Sequence, residues 1–306
     1  MGAGSSAPVV EPMAEFMPTT LLPLEEFVAS MLPESILSLM PITAIAVGLA
    51  CLAAQIFFWA LFAFVLPAGP WKDEAGFTAH QVVVLPLIIY LAYWGVVMWR
   101  DTPLLPAFGT AVARATKPHA VGSHLTQVAL GELIIWDTPT CFAVPSLRSP
   151  EMLAHHILMA GVAYLSYSNT AFQYYTLLYF GAIEVSGIVL AWVDVCHPKH
   201  KSWCAFADRH PAIGAFNLLT RGLFLVLYFT MRVGFFPYYM FVARESVIPD
   251  IAELLALDAP VLPAFALWGI GTFGLALTLL QFYWGYLLVK QVQKMLNPPP
   301  EKKKTK

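Results

Sequence analysis

The stretch Ile42–Leu66, ITAIAVGLACLAAQIFFWALFAFVL, decides the class of fold. Gln55 is its only strongly polar side chain. The hydrocarbon core of a bilayer is about 30 Å thick, and a helix needs about 20 apolar residues to cross it. The stretch therefore predicts a transmembrane helix.

The composition of the whole chain agrees with this prediction. Among its 306 residues, 58% are hydrophobic and only 12% are charged, and the mean hydropathy is +0.68. Soluble domains usually have about 25% charged residues. A soluble enzyme, a disordered chain and a disulfide scaffold are therefore excluded. The formal net charge of -2 gives no reason to expect nucleic-acid binding.

Six further segments meet or approach the length of a membrane span. Internal proline and glycine are compatible with such spans, because neighbouring helices satisfy the freed backbone groups. The fold predicted is an all-α integral membrane protein with about seven transmembrane helices. The six further segments are Val82–Trp99, Leu125–Val144, Met152–Tyr167, Ala171–Val193, Ile213–Val242 and Val261–Val289.

The two ends of the chain differ in charge. Residues 1–41 are acidic and proline-rich, contain no Lys or Arg, and include apolar residues at helical spacing that predict an interfacial helix. Residues 295–306 form a basic tail. The positive-inside rule then places the C-terminus in the cytosol, although Arg114 and Lys117 contradict this orientation. Lys303 and Lys304 match a dilysine retrieval signal, which predicts the endoplasmic reticulum.

Five side chains of fixed charge lie within the predicted spans. Each costs about 2.5–3.5 kcal/mol at the bilayer centre, so they should pair or line a wet interior cavity. Arg221 and Arg232 are eleven residues apart, which places both on one helix face. The bundle is therefore expected to have a polar axis. The five residues are Glu132, Asp137, Glu184, Arg221 and Arg232.

The same eleven-residue spacing predicts polar stripes on two other helices. It aligns His155 with Ser166, His156 with Tyr167, and Gln173 with Glu184. Two interpretations stay open: structural hydrogen bonds between helices, or a functional cavity.

Two groups of potential ligands are not assigned to a site. His80 and Gln81 begin the second predicted span and are expected to be interface residues. Cys196, His197, His200 and Cys204 supply enough donors for zinc, but their spacing fits no recognised finger, and we predict no metal site.

Several short motifs resemble those of the TLC-domain family, which includes the ceramide synthases. The resemblance extends from about Phe77 to Lys294 and is closer to the members that are not synthases. The motifs are the stretch from His155-His156 to Ser166-Tyr167, Ile135-Trp136-Asp137, Glu184-Val185-Ser186, Asn217 followed by Arg221 and Arg232, and Gln281-Phe282-Tyr283-Trp284.

The sequence also departs from the ceramide synthase motif. Met159 stands where that motif has Thr, and residues 173–186 lack its Arg, its His-Asp pair and its further Asp. The resemblance therefore implies the TLC fold more than ceramide synthesis. That fold is a six-helix barrel in residues 77–294, around a long narrow cavity for acyl chains, with residues 42–66 as an extra span.

Three functions are predicted from these features. The first is binding or handling of membrane lipids. The second is N-acyl transfer with acyl-CoA as co-substrate and no cofactor, for which the catalytic candidates are His155, His156, Asp137 and Glu184. The third is an accessory subunit with membrane-protein partners. The candidates for lipid or headgroup binding are Arg221, Arg232, Ser166, Tyr167, Gln173 and Gln281.

Overall fold

A computed structural model describes residues 22–37, 39–102 and 106–297. These residues form helices joined by short loops and contain no β-strand. The α-helices are α1 (Leu22–Met31), α2 (Glu34–Leu37), α3 (Ile42–Ala60), α4 (Pro70–Asp73), α5 (Ala75–Asp101), α6 (Ala111–Thr116), α7 (Ala120–Gly131), α8 (Thr138–Ala143), α9 (Pro150–Ser168), α10 (Gln173–Tyr179), α11 (Val185–Val195), α12 (Lys201–Arg209), α13 (Pro211–Leu227), α14 (Val247–Leu255) and α15 (Ala264–Leu296).

Short 3-10 and π-helical segments precede or continue several of these α-helices. The 3-10 segments are Pro106–Phe108 and Ala182–Glu184. The π-helical segments are Leu61–Val65, Glu132–Asp137, Tyr228–Phe235 and Tyr238–Val242.

The all-α membrane fold predicted from the sequence is confirmed. Within the described residues, five helical stretches are long and apolar enough to cross a bilayer. The two other predicted spans are also helical, in α7–α8 and in α9, but the number seven stays a prediction. The five stretches are Ile42–Val65, Ala75–Asp101, Gln173–Val195, Pro211–Leu255 and Ala264–Leu296.

Six of the long helical segments close into a ring. Helix α5 packs on α11, α11 packs on α13, and the π-helical continuation of α13 packs on α15. The ring continues from α15 to α9, from α9 to α7, and from α7 back to α5. Helix α3 packs against α5 and α7 as an additional helix. A ring with one additional helix is the arrangement that the resemblance implies.

Glycines set two of the closest helix contacts. A Cβ atom at Gly131 would collide with the backbone of Ala44 in α3. A Cβ atom at Gly95 would collide with the backbone of Gly181 and Ala182. Because backbone atoms cannot yield as a flexible side chain can, these positions accept only glycine without movement of a helix.

One sequence-based alignment is wrong. The helix that begins at Gln173 ends at Tyr179, and a 3-10 turn at Ala182–Glu184 precedes α11. Gln173 and Glu184 therefore do not lie on one continuous helix face. The short helix α10 is buried along its whole length.

The loops and short helices at each end of the barrel contact one another. At one end, Trp71 lies edge-to-face with Trp203, and Glu74 is hydrogen-bonded to His200. These contacts join the loop after α3 to helix α12. At the other end, Arg114 of α6 pairs with Asp250 of α14.

The pairing of Arg114 explains why this residue contradicted the predicted orientation. Burial disfavours its charge, but hydrogen bonds to Asp250 and Tyr175 outweigh burial and raise the pKa of Arg114. Its charge is cancelled within the fold, so Arg114 does not act as a free topological signal. The orientation itself remains a prediction.

The predicted interfacial helix corresponds to α1. Val28 is buried, Phe27 and Met31 are exposed, and the Thr43 hydroxyl donates a hydrogen bond to Glu25 at 2.8 Å. Helix α1 therefore packs on the beginning of α3. Residues 1–21 and the tail from 298, including Lys303 and Lys304, lie outside the described residues.

Candidate functional site

The barrel encloses a cavity of about 220 Å³. Four of the five charged residues predicted within the spans line it, and both adjacent histidines do as well. The predicted polar-lined interior is therefore present. The polar side chains of the lining are His80, Gln81, Glu132, Asp137, Cys141, His155, His156, Glu184, Asp194, Lys199, Arg232 and Trp284.

Asp137 lies at the centre of the polar wall and is 8% exposed. His80 Nε2 is 2.9 Å from its Oδ1, and His156 Nε2 is 3.2 Å from its Oδ2. The Cys141 thiol donates to Oδ1 at 3.7 Å. One buried carboxylate thus holds two imidazoles that come from different helices.

The two adjacent histidines have different surroundings. His156 uses both ring nitrogens, since its Nδ1 lies 3.4 Å from the Thr138 hydroxyl. The ring of His155 lies against Trp284, with the ring centroids 5.4 Å apart. His155 Nδ1 is buried and has no hydrogen-bond partner among the described residues. Asp137 therefore orients His156 but not His155.

Glu184 and Arg232 form a second polar group on the cavity wall. Arg232 donates from Nε to the Ser186 hydroxyl at 2.8 Å and from Nη2 to both Glu184 oxygens at 3.3 Å. Glu184 also lies over Gly187, where a Cβ atom would collide with its carboxylate. Glu184 thus neutralises Arg232 and does not contact either histidine of α9 through a hydrogen bond in the described structure.

Arg221 of α13 and Arg232 of its π-helical continuation both face the neighbouring helix α11, as their spacing predicted. Arg232 contacts its beginning, while Arg221 donates to the carbonyl of Cys196 at its end at 2.7 Å. Arg221 also binds the Asn217 side chain at 2.9 Å. Arg221 does not line the cavity but satisfies a carbonyl at a helix C-terminus, where a cation is favoured.

The other candidates for lipid binding lie away from this cavity. The Ser166 hydroxyl donates to Ala171 O at 2.6 Å, and Gln173 Oε1 accepts from the His119 N–H at 3.0 Å. The Tyr228 hydroxyl donates to the backbone carbonyl of Gln281 at 2.8 Å and lies 3.2 Å from its side-chain Oε1. Tyr167 is absent from the lining as well. The first three are thus used as structural hydrogen bonds between segments.

Ser166 does line a second, smaller cavity of about 40 Å³. Apart from Ser166, Thr176 and two tyrosines, its walls are hydrophobic. It lies between α9, α10 and α15, towards the end of the barrel that contains the Arg114–Asp250 pair.

Sequence reasoning missed His80 and Cys141. His80 was expected at the interface because the second span was predicted to begin at Val82. Helix α5 begins at Ala75 instead, so His80 lies in its second turn, buried at 8% exposure beside Asp137. Cys141 lies four residues after Asp137, a spacing that places both on one helix face.

The Cys196–Cys204 region does not assemble a ligand cluster in the described structure. The Cys204 thiol donates to backbone carbonyls of Cys196 and His197, at 3.5 and 3.4 Å. His200 turns away to bind Glu74 and stacks on Phe77.

The comparisons with known proteins give one match. The family model described as the TLC domain matches residues 114–290, which is more than half of the chain. No curated protein and no solved structure matches significantly. The matched residues include Asp137, both histidines, Glu184 and Arg232, but begin after His80. This domain defines a lipid-related family of membrane proteins, and the chain belongs to it.

Proposed function

We propose that the protein binds a membrane lipid in the barrel cavity and thereby influences membrane lipid composition. The observation that carries this proposal is the mixed lining of the cavity. Ile88, Leu91 and Met159 supply apolar contacts for an acyl chain. The histidines and Arg232 supply polar contacts for a headgroup. Most ligand sites combine apolar walls with a few polar groups in this way.

Lipid extraction from the purified protein tests this proposal. The wild-type protein, purified in mild detergent, should carry lipid that mass spectrometry identifies. Met159→Trp should lower the amount of that lipid because the larger ring takes up part of the space for the acyl chain. Ile157→Trp is the matched control, since Ile157 lies on the same helix but is 67% exposed. A wild-type protein without bound lipid, or equal lipid in both variants, would contradict the proposal.

N-acyl transfer is the second candidate, and the free nitrogen of His155 favours it. An unprotonated imidazole can act as a general base. In this reaction His155 takes the proton from an amine that attacks the thioester carbonyl of acyl-CoA. The C–N amide bond forms, the C–S bond breaks, and the CoA thiolate leaves with the proton from the imidazolium.

Microsomes containing the protein, supplied with a sphingoid base and acyl-CoA, test this second candidate. His155→Ala should abolish amide formation, whereas His210→Ala should leave it unchanged because His210 is exposed on the α12–α13 loop. Absence of product with the wild-type protein, or undiminished product with His155→Ala, would contradict it.

The third candidate, an accessory subunit, receives less support. Its motive included the glycines of the last span, but positions 269 and 274 contact Leu165 and Met240 within the chain. Native-gel migration tests it: a species that runs as a lone protein in mild detergent contradicts membrane-protein partners.

We also propose that the protein resides in the endoplasmic reticulum with a cytosolic C-terminus. The lysines at the end of the sequence support this placement. The double substitution Lys303→Ser and Lys304→Ser should shift the protein from the endoplasmic reticulum to later compartments of the secretory pathway, which fluorescence microscopy would detect. A C-terminal tag that stays inaccessible to antibody after selective permeabilisation of the plasma membrane would contradict the orientation.

A further inference from the structure

Three side chains with metal-binding atoms meet on one wall of the cavity. The donor atoms of Asp137, Cys141 and His156 all lie within 4.8 Å of one another. His80 Nε2 is hydrogen-bonded to Asp137 Oδ1 at 2.9 Å but is not close enough to all three to belong to the group. Within the described residues, the first three form the one group of at least three such donors that is close enough to share an ion.

The spacing suits an ion with one open coordination position. Catalytic zinc sites use three protein ligands and leave the fourth tetrahedral position to water or substrate. Asp137 lies 3.2 Å from His156 and 3.7 Å from Cys141. His80 acts on the ligand Asp137, which it holds by a hydrogen bond of 2.9 Å.

The framework holds these donors in place before an ion binds. His156 comes from α9, and Asp137 and Cys141 come from one helical turn of the α7–α8 segment, while His80 of α5 supports Asp137 by a hydrogen bond. Each of the four residues is at most 8% exposed. Sites on rigid helices keep their ligand geometry better than sites on loops.

The charge of the cavity provides a second argument. Of the acidic residues in the lining, Glu184 pairs with Arg232 and Asp194 pairs with Lys199. With neutral histidines, the Asp137 carboxylate has no cationic partner in the described structure. An uncompensated charge is costly at bilayer depth, and a cation bound beside Asp137 offsets it.

From the donor geometry and the uncompensated charge of Asp137, we propose that Asp137, Cys141 and His156 bind a divalent transition-metal ion, with His80 orienting Asp137. An imidazole, a thiolate and a carboxylate are ligands that Zn²⁺ prefers. On binding, the Cys141 thiol releases one proton to solvent, and its thiolate and the Asp137 carboxylate balance the charge of the ion. His155, the base of the acyl-transfer proposal, is not a ligand.

Cobalt titration of the purified full-length protein tests this site. After treatment with a chelator, the wild-type protein should bind one equivalent of Co²⁺. The spectrum should show the visible bands of a tetrahedral site and a thiolate-to-metal charge-transfer band, and Zn²⁺ should displace all of them. Elemental analysis of the protein as purified should find about one zinc per chain.

Single substitutions assign the ligands. Cys141→Ser should remove the charge-transfer band. His80→Gln, which removes the imidazole that orients Asp137, should weaken Co²⁺ binding at least tenfold. Cys204→Ser is the control, because the Cys204 thiol faces backbone carbonyls, and its spectrum should match the wild type. Thermal unfolding of each variant checks that it is folded, and His80→Gln provides a second test if Cys141→Ser unfolds.

Two results would overturn the proposal. The first is a wild-type protein that shows no charge-transfer band at any Co²⁺ concentration, which would mean that the four groups form a hydrogen-bonded cluster only. The second is an unchanged band and affinity in folded Cys141→Ser or His80→Gln protein, which would place the bound ion elsewhere. Neither result bears on whether the cavity holds lipid, which the extraction experiment measures separately.

Discussion

The buried pair of Arg114 and Asp250 should dominate the stability of one end of the barrel. The two side chains are only 6% and 2% exposed. Arg114 donates to the carboxylate at 2.6 and 2.9 Å, and the Tyr175 hydroxyl donates to it at 2.6 Å. The pair joins α6 to α14, two segments that are far apart in the sequence.

The size of the effect follows from burial. Removing one partner of a buried ion pair costs about 3–5 kcal/mol, because the other charge is left without compensation. Asp250→Asn keeps the shape and one acceptor oxygen, so we expect a loss of about 3 kcal/mol in the free energy of unfolding. Arg114→Met should cost a similar amount, since it leaves a buried carboxylate with Tyr175 as its remaining donor. The double variant should lose less than the sum of the two.

The assay is reversible unfolding in mixed detergent micelles with increasing dodecyl sulfate, followed by tryptophan fluorescence. Asp101→Asn is the matched control, because the Arg100–Asp101 pair is exposed, at 72% and 40%. Exposed pairs contribute about 0–1 kcal/mol. If Asp250→Asn loses no more stability than Asp101→Asn, or if the two substitutions at the buried pair are additive, the argument from burial is wrong.

Three further predictions use the same assay or the lipid extraction. Burial lowers the pKa of His119 to about 4. The native protein therefore binds fewer protons than the unfolded chain between about pH 6.5 and pH 4. The free energy of unfolding should fall by about 2 kcal/mol from pH 7 to pH 5. His119→Asn, which keeps an acceptor for the Gly122 N–H, should show a smaller fall, and an equal fall would exclude His119 as its source. Gly95→Val should lower the free energy of unfolding by about 1–3 kcal/mol or more, because backbone atoms face the new side chain. Gly222→Val is the control: its side chain faces open space, and the loss should be less than about 1 kcal/mol. Equal losses would show that helix propensity decides both. Arg221→Met removes the hydrogen bond to Cys196, so the free energy of unfolding should fall by about 1 kcal/mol while the bound lipid stays. Arg232→Met should lower the lipid content, because Arg232 lines the cavity. Loss of lipid from Arg221→Met would contradict the placement of Arg221 outside the cavity.

The sequence was sufficient to predict the class of fold and most of the charges that meet inside it. The cost of a bare charge in lipid predicted that five charged residues share an interior. Glu132, Asp137, Glu184 and Arg232 line the cavity, whereas Arg221 does not. That argument needs only the position of each charge within an apolar run. It does not use the rotation of any helix.

Which residues these charged side chains contact depends on where each helix begins and is interrupted, and the length of an apolar segment does not reveal this. Helix α5 begins before Val82 because the less apolar turn from Ala75 to His80 is buried by its neighbours. Likewise, the hydropathy of residues 171–193 gives no sign that the helix is interrupted after Tyr179. His80 was therefore missed, and Gln173 was wrongly aligned with Glu184.

Wider helical turns explain how the charged residues reach the cavity. Glu132 and Asp137 begin and end one π-helical segment, and Arg232 lies within another. A π-helical turn has an extra residue, which rotates the side chains that follow it, and such turns are often found at functional sites. Regular α-helical arithmetic places Asp137 five residues after Glu132 and about 140° around the axis, yet both line one cavity. Leu61–Val65 and Tyr238–Val242 are π-helical without any charged residue, so charge alone does not decide where such turns form. The wider turn at Glu132–Asp137 nevertheless brings to one cavity two acidic side chains that a regular α-helix would direct apart.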